Sequence, residues 1–144
     1  MVDVDKIEDA IVTAVSGAGL GLKKVAPYEA DYDQQQISQL LVLAPFVLVN
    51  YDGLEVDEDQ RFQDMSVGVN SQDFTLYVGS QSLKDRQDAQ RGCYTILRGL
   101  RTLFDGKVIT ADAKPLNIGL VREFFVSSQG GLIVYAATYR VFDL

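Results

Sequence analysis

Lys6-Ile7-Glu8-Asp9-Ala10-Ile11-Val12 lies near the start of the chain and is the first of three blocks that decide the predicted fold. Lys23-Lys24-Val25-Ala26-Pro27-Tyr28 follows as a short strand, and a Gln-rich helix at 33–41 then leads into Ala44-Pro45-Phe46-Val47-Leu48-Val49-Asn50-Tyr51-Asp52-Gly53. The first block repeats its apolar residues at helical spacing. Phe46–Tyr51 is apolar on both faces, which is typical of a central strand covered on two sides. None of these blocks contains a catalytic constellation.

The later part of the chain adds strands and one long helix. The helix is predicted at Leu83–Asp105, with Ser82 as its N-cap. The strands are expected at Arg61–Asn70, Phe74–Ser80, Lys107–Thr110, Asn117–Ser127 and Leu132–Phe142. Because strands and helices are mixed without regular βαβ alternation, the predicted fold class is α+β. We expect a single domain over residues 1–144, with a mixed, mostly antiparallel sheet and helices packed on one face.

Three local signals make this prediction specific. Asp5 followed by Glu8 has the form of a capping box and predicts the start of the first helix. Asn70–Asp73 is polar and predicts a turn between two strands. Gly92 and Gly99 lie two helical turns apart in the long helix, which predicts that one side of this helix passes close over the sheet.

The composition excludes several kinds of chemistry. The 144-residue chain has no histidine, which excludes Ser-His-Asp and Cys-His catalysis and His-ligated zinc sites. Its one cysteine, Cys93, lies among apolar residues of the long helix, and we interpret it as a buried small hydrophobic residue. No apolar run is long enough to cross a membrane, and the N-terminus lacks the features of a signal peptide. We therefore expect no membrane contact, no metal and no cofactor.

The net charge of −7 is unevenly distributed along the chain. Residues 1–60 carry 12 acidic and 3 basic side chains, and residues 61–144 carry 8 acidic and 10 basic ones. An acidic protein does not suit general DNA binding, which depends on neutralising phosphates. The asymmetry would suit subunits that meet through unlike faces, because complementary potentials orient association. An acidic, solvated surface explains the same charges equally well.

Two charged features are candidates for a functional surface. The acidic run Asp57-Glu58-Asp59 lacks the ligand spacing and turn glycine of a calcium loop, and a solvated hairpin tip is favoured. Arg91, Arg98 and Arg101 share one side of the long helix. These arginines could offset nearby acidic residues of the same chain, contact a neighbouring subunit, or bind phosphate or DNA.

The order of three short motifs resembles one family of phage proteins. Ile7-Glu8-Asp9-Ala10-Ile11 lies in the first helix, Val25-Ala26-Pro27-Tyr28 forms the short strand, and Ala44-Pro45-Phe46-Val47 begins the buried one. These motifs, with the long helix at Lys84–Phe104, resemble the Mu-like phage Gp37 family of small tail proteins. The resemblance spans nearly the whole chain, although each motif is a feature of the fold rather than of a site.

The resemblance implies a structural protein without catalytic activity. Its family is similar to the tail terminators of long-tailed phages, which are α/β subunits that assemble as a hexameric ring on the tail tube. The implied partners are other copies of the chain, the tail tube protein and the head-tail connector proteins. DNA would at most pass through the ring. The implied location is the virion tail, assembled in the bacterial cytoplasm.

A head-to-tail ring needs two unlike contact surfaces on each subunit. We expect one to include segment 61–80, with Arg61, and the arginine side of the long helix, and the acidic loop 52–59 to complement it. Two other functions stay open. One is another head-tail joining or tube-related subunit, and the other is a small non-phage α+β domain that binds a ligand or uses its carboxylates as an enzyme.

Overall fold

A mixed sheet and two helices form the fold of the chain. The computed structural model describes residues 2–28, 43–56, 70–82 and 84–142. In chain order these ranges contain α1 (Val4–Ser16), β1 (Lys24–Pro27), β2 (Phe46–Val56), β3 (Asn70–Gln81), α2 (Arg86–Phe104), β4 (Lys107–Ala111), β5 (Lys114–Gln129) and β6 (Leu132–Phe142). The strand order in the sheet is β1-β2-β3-β6-β5-β4. β1 pairs with β2 in parallel, and the other pairs are antiparallel. The α+β class and the mixed, mostly antiparallel sheet are therefore confirmed.

The centre of the sheet is the antiparallel pair β3–β6. Its register runs without a bulge from Ser71 opposite Phe142 to Gln81 opposite Leu132. β2 flanks this pair on one side and β5 on the other. Because β3 is bonded on both sides, it has no free backbone edge.

The main core is one cluster of buried residues from both helices and from the sheet. Ile7, Ile11 and Val15 of α1 are buried, and so is an apolar stripe of α2 that consists of Ala89, Cys93, Ile96, Leu97, Leu100 and Phe104. These residues form one cluster with alternate residues of the strands, namely Val47, Val49, Phe74, Leu76, Val78, Ala137, Tyr139 and Val141. α1 contacts β1 and β2 near one side of the sheet and β4 at the other. The sheet must therefore curve around α1.

A second, smaller cluster uses the other face of β2. Phe46 and Leu48 pack there with Leu132 and Val134, whereas Val47 and Val49 belong to the main core. All four β2 residues are almost fully buried. The prediction that this strand is covered on both faces is therefore confirmed.

The predicted starts of both helices are wrong. α1 begins at Val4 with Asp3 as its N-cap, and no side chain caps it, so Asp5 and Glu8 do not form a capping box. The N-cap of α2 is Asp85, whose Oδ1 accepts a hydrogen bond from the Asp88 amide at 2.7 Å. Ser82 lies outside α2 and instead accepts a hydrogen bond from the Lys84 amide. Aspartate is a favoured N-cap residue because its side-chain oxygen accepts a hydrogen bond from an amide of the first turn, which explains why α2 starts there.

The turn predicted at Asn70–Asp73 is also absent, because these residues belong to β3. Their polar side chains have partners inside the fold. Gln72 donates a hydrogen bond to the Val2 carbonyl at 3.3 Å, and Asp73 accepts two from Arg140 at 2.9 and 3.1 Å. Polar residues are tolerated in a central strand where such partners exist. The helix predicted at 33–41 and the strand predicted at 61–69 lie outside the described residues.

The glycines of α2 do mark close approaches. A Cβ on Gly92 would lie 2.4 Å from Oγ of Ser80 in β3, and one on Gly99 would lie 2.4 Å from a terminal methyl of Leu20. The predicted close crossing over the sheet is confirmed at Gly92. Gly79 is more tightly packed, because a Cβ there would lie 2.1 Å from the ring of Phe46 on the neighbouring strand.

We predict that Gly79→Ala lowers the free energy of unfolding by about 2 kcal/mol, since overpacking a core costs about 1–3 kcal/mol. The Phe46 ring cannot swing into solvent, because it is 1% exposed. Gly99→Ala is the matched control, because the Leu20 methyl is the far end of a flexible side chain and alanine favours the helix. Urea denaturation measures both. Equal stability of the two variants would contradict the prediction.

Cys93 is fully buried, as expected from the sequence. Its Sγ lies 3.4 Å from the carbonyl oxygen of Ile133 and 3.8 Å from that of Val78. Burial raises the pKa of the thiol to about 11, so only ~0.1% is thiolate at pH 8. We therefore predict that a thiol reagent such as DTNB modifies Cys93 only when the chain unfolds. Its rate should follow the unfolding curve in urea, and rapid labelling of the native protein would contradict this.

Candidate subunit interaction surface

Three of the four arginines of α2 lie on the side of the helix that faces away from the core. The buried stripe of α2 runs from Ala89 to Phe104, and Arg91, Arg98 and Arg101 are exposed. The interpretation that they share one solvent-facing side agrees with their placement. Their surroundings differ, however, and so do their possible roles.

Arg101 forms an ion pair with a residue of its own chain. Its Nε lies 3.0 Å from Oε1 of Glu123 on β5, and the two side chains are 44% and 23% exposed. Surface pairs of this kind contribute about 0–1 kcal/mol to stability. The pair holds the C-terminal half of α2 beside β5, so the intramolecular alternative applies to Arg101.

Arg98 borders a groove between α2 and β5. The groove has a volume of about 440 Å³ and is lined by Tyr94, Leu97, Arg98, Arg101, Glu123, Phe124 and Tyr135. Arg98 makes a long contact of 3.5 Å to Oγ1 of Thr95 on its own helix. Within the described ranges, neither Arg98 nor Arg91 forms an ion pair. No described residue of the chain offsets these two charges by an ion pair.

Aromatic side chains continue this surface from α2 to β5. Tyr135 lies between Tyr94 and Phe125, with ring centroids 5.6 and 5.5 Å away in edge-to-face geometry. Its hydroxyl accepts a hydrogen bond from Gln90 at 2.9 Å and lies 3.4 Å from that of Tyr94. This contact with Tyr135 raises the pKa of Tyr94. Tyr94 and Phe125 are nevertheless 41% and 46% exposed, so both rings contribute apolar area to this surface.

The neighbouring edge of β5 was not predicted to be part of a contact surface. β4 pairs only with Lys114–Ile118, and the side chain of Asp105 accepts a hydrogen bond from the Leu120 amide. In the part of the chain that the structure describes, Val121–Gln129 pairs with β6 alone. Bulges fall at Val121 and Val126, and both valines are exposed. The sequence signal was the run Val121–Val126, which carries four apolar residues in an expected strand.

The other predicted contact residues are only partly placed. Arg61, Asp57, Glu58 and Asp59 lie outside the described residues. The described end of segment 61–80 is β3, which lies between β2 and β6. β3 therefore has no strand edge to offer, and the expectation that segment 61–80 belongs to a contact surface stays a prediction.

The described residues contain no group of three or more acidic or cysteine side chains that could hold a metal ion. Glu8 and Asp9 are the one pair of adjacent carboxylates among the described residues. The pKa of Glu8 is raised by partial burial and by the nearby charges of Asp9 and Asp5. No helix within the same ranges is long and apolar enough to cross a membrane.

Comparison with known proteins gives the class of this chain. Among solved structures, a chain from the structure titled "Virion of native gene transfer agent (GTA) particle" has the same fold, with a TM-score of 0.62 and 11% identity. The match covers 94% of this chain and 92% of that one. A search of curated protein sequences found no match.

The family follows from the sequence itself. The model of the family described as "Bacteriophage Mu, Gp37" matches residues 3–142. The chain therefore belongs to the bacteriophage Mu Gp37 family, as the order of its three motifs indicated. Membership in a phage family removes the alternative of a non-phage domain.

Proposed function

We propose that this chain is a single-domain structural subunit of a phage or prophage tail, and that it acts as the tail terminator. In this role it forms a ring, hexameric by the family resemblance, that caps the tail tube and connects it to the head. The observation that carries the proposal is the family match over residues 3–142. The fold shared with a chain of a gene transfer agent virion supports it, because that likeness covers nearly all of both chains.

The chemistry of the surface agrees with an assembly role. The chain has no histidine. Its described groove is lined by aromatic and arginine side chains, which are typical of protein contacts. Arg91 and Arg98 supply positive charge, whereas residues 1–60 supply most of the negative charge. In this proposal both helices pack on the concave face of the sheet. The strand edges of the sheet and the outer side of α2 then stay open to neighbouring subunits.

The deciding experiment combines the mass of the purified protein in solution with electron micrographs of the protein alone and with tail tubes. Ring-shaped particles and caps at tube ends are the expected result. Particles at the head vertex or along the whole tube would instead indicate the other joining or tube-related role. A protein that stays a monomer and does not bind tubes would overturn the proposal.

We predict that Arg98→Glu raises the protein concentration needed for ring formation at least tenfold, because it removes a positive charge from the contact surface and adds a negative one. Analytical ultracentrifugation over a dilution series measures the effect. Arg86→Glu is the matched control, since Arg86 is an exposed arginine of the same helix that lies outside the groove. If both variants assemble like the wild-type chain, Arg98 has no role in the contact.

A further inference from the structure

Among the described residues, two stretches of strand edge have no neighbouring strand, and they lie diagonally opposite each other. β1 pairs with β2 only at Phe46–Val49, so Asn50–Val56 is bonded to β3 alone within the described residues. We call this stretch the β2 edge. Val121–Gln129, bonded to β6 alone in the same ranges, is the β5 edge.

The strand registers fix where these edges lie. Phe46 is level with Gly79, Val134 and Ser127 across the sheet, and the other end of β2 is level with Phe142 and Asn117. β1 therefore covers the end of the sheet at which the β5 edge is open, and β4 covers the end at which the β2 edge is open. The two edges face in opposite directions. A surface pair of this kind is what a head-to-tail contact requires.

The β5 edge is apolar and basic. Val121, Phe125 and Val126 are between 41% and 46% exposed. Arg122 is also exposed, and its guanidinium lies 4.6 Å from the centre of the Phe124 ring. Glu123 is paired with Arg101, so these two charges offset each other. Arg98 and Arg122 then give this surface a net positive charge. Edges of monomeric proteins are more often protected by charges or proline than by exposed valine and phenylalanine.

The β2 edge is apolar and acidic. Leu54 is 44% exposed, and Asp52 next to it carries a carboxylate held by Asn50 and Thr75. Leu54 pairs with Gln72, whose side chain donates a hydrogen bond to the Val2 carbonyl. The start of α1 therefore lies beside this end of the sheet and adds the exposed side chains of Asp3 and Asp5.

We infer that the β5 edge of one copy, with Tyr94 and Arg98 beside it, binds the β2 edge of the next copy in an antiparallel arrangement. This inference rests on the proposed function, since it names the contact that would build the ring. The charge balance of the two edges favours a second copy of the chain as the occupant: the basic edge meets the acidic one, and Leu54 meets Phe125. β2 and β5 run in opposite directions within one copy, so neighbours in the same orientation present antiparallel strands.

The diagonal placement also constrains the ring. Copies that pair through staggered edges form a closed ring only when their strands are inclined to the ring axis, as in β-barrels. With strands parallel to the axis, the same stagger would produce an open helix. The inference therefore includes inclined strands around the ring.

The test uses one variant on each edge, Phe125→Asp and Leu54→Asp, in the full chain. Each variant should be a monomer where the wild-type chain is an oligomer, because each has lost one of its two surfaces. An equimolar mixture should give a one-to-one dimer and nothing larger. The intact β2 edge of one variant then binds the intact β5 edge of the other. The two mutated edges do not bind each other, because their introduced carboxylates would face and repel each other.

Size-exclusion chromatography with light scattering distinguishes the outcomes. A mixture that stays monomeric, or single variants that assemble like the wild-type chain, would overturn the inference. A wild-type chain that is itself monomeric, with and without tail tubes, would overturn the proposed function. Rings of normal size in Phe125→Asp would leave the proposed function standing and remove only this contact.

Val108→Asp is the control for surface polarity, since Val108 is 60% exposed on β4 and belongs to neither edge. It should assemble like the wild-type chain. Val126→Asp replaces Phe125→Asp if loss of the Phe125–Tyr135 contact unfolds the protein, which circular dichroism would detect. The mixture with Leu54→Asp should again give dimers.

Discussion

The antiparallel pairing of β3 with β6 is the constraint on which the other elements depend. It joins the middle of the chain to its C-terminal segment and fixes the positions of β2 and β5 on either side. Side-chain contacts reinforce it on the face away from the main core. Thr75 and Thr138 lie 3.0 Å apart between their hydroxyl oxygens, and Arg140 forms two hydrogen bonds with Asp73. A slip of one residue would place Phe74 and Leu76 on the wrong face, so this register is strongly specified.

The same pairing determines which side of α2 is exposed. Cys93 and Leu100 pack onto the sheet, and Gly92 allows the helix to approach Ser80. The side that carries Arg91 and Arg98 is consequently turned outward, next to β5. The exposed arginines and the aromatic group around Tyr135 are thus consequences of core packing.

Sequence periodicity was sufficient for the elements whose apolar pattern is strong. The stripe of α2, the two-faced burial of Phe46–Val49 and the hairpin of β5 with β6 follow directly from it. It failed where long-range partners outweigh local preference. Gln72 and Asp73 are polar residues typical of a turn, yet hydrogen bonds to Val2 and Arg140 hold them in a central strand. Nothing within the segment itself identifies those partners.

The candidate surface was predicted in part for the same reason. Arg98 and Arg101 could be grouped from their helical spacing, but the ion pair of Arg101 with Glu123 depends on the sheet. The β5 edge could not be located, because its exposure depends on how far β4 extends. The first residue of β4, Lys107, lies opposite Ile118, and the Asp105 side chain accepts a hydrogen bond from the Leu120 amide, so the edge is open only beyond that point.

The form of the β5 edge suits a contact that closes rather than one that grows without limit. Its two bulges leave Arg122–Phe125 as the regular stretch between them, and a bulge interrupts further strand pairing. In the inferred contact between copies, affinity then depends on the side chains around a short strand contact. A heterologous contact with a fixed angle closes into a ring when that angle divides a full turn evenly. In that inferred contact the two bulges limit strand pairing to the short stretch between them, which distinguishes it from an edge that pairs along its whole length.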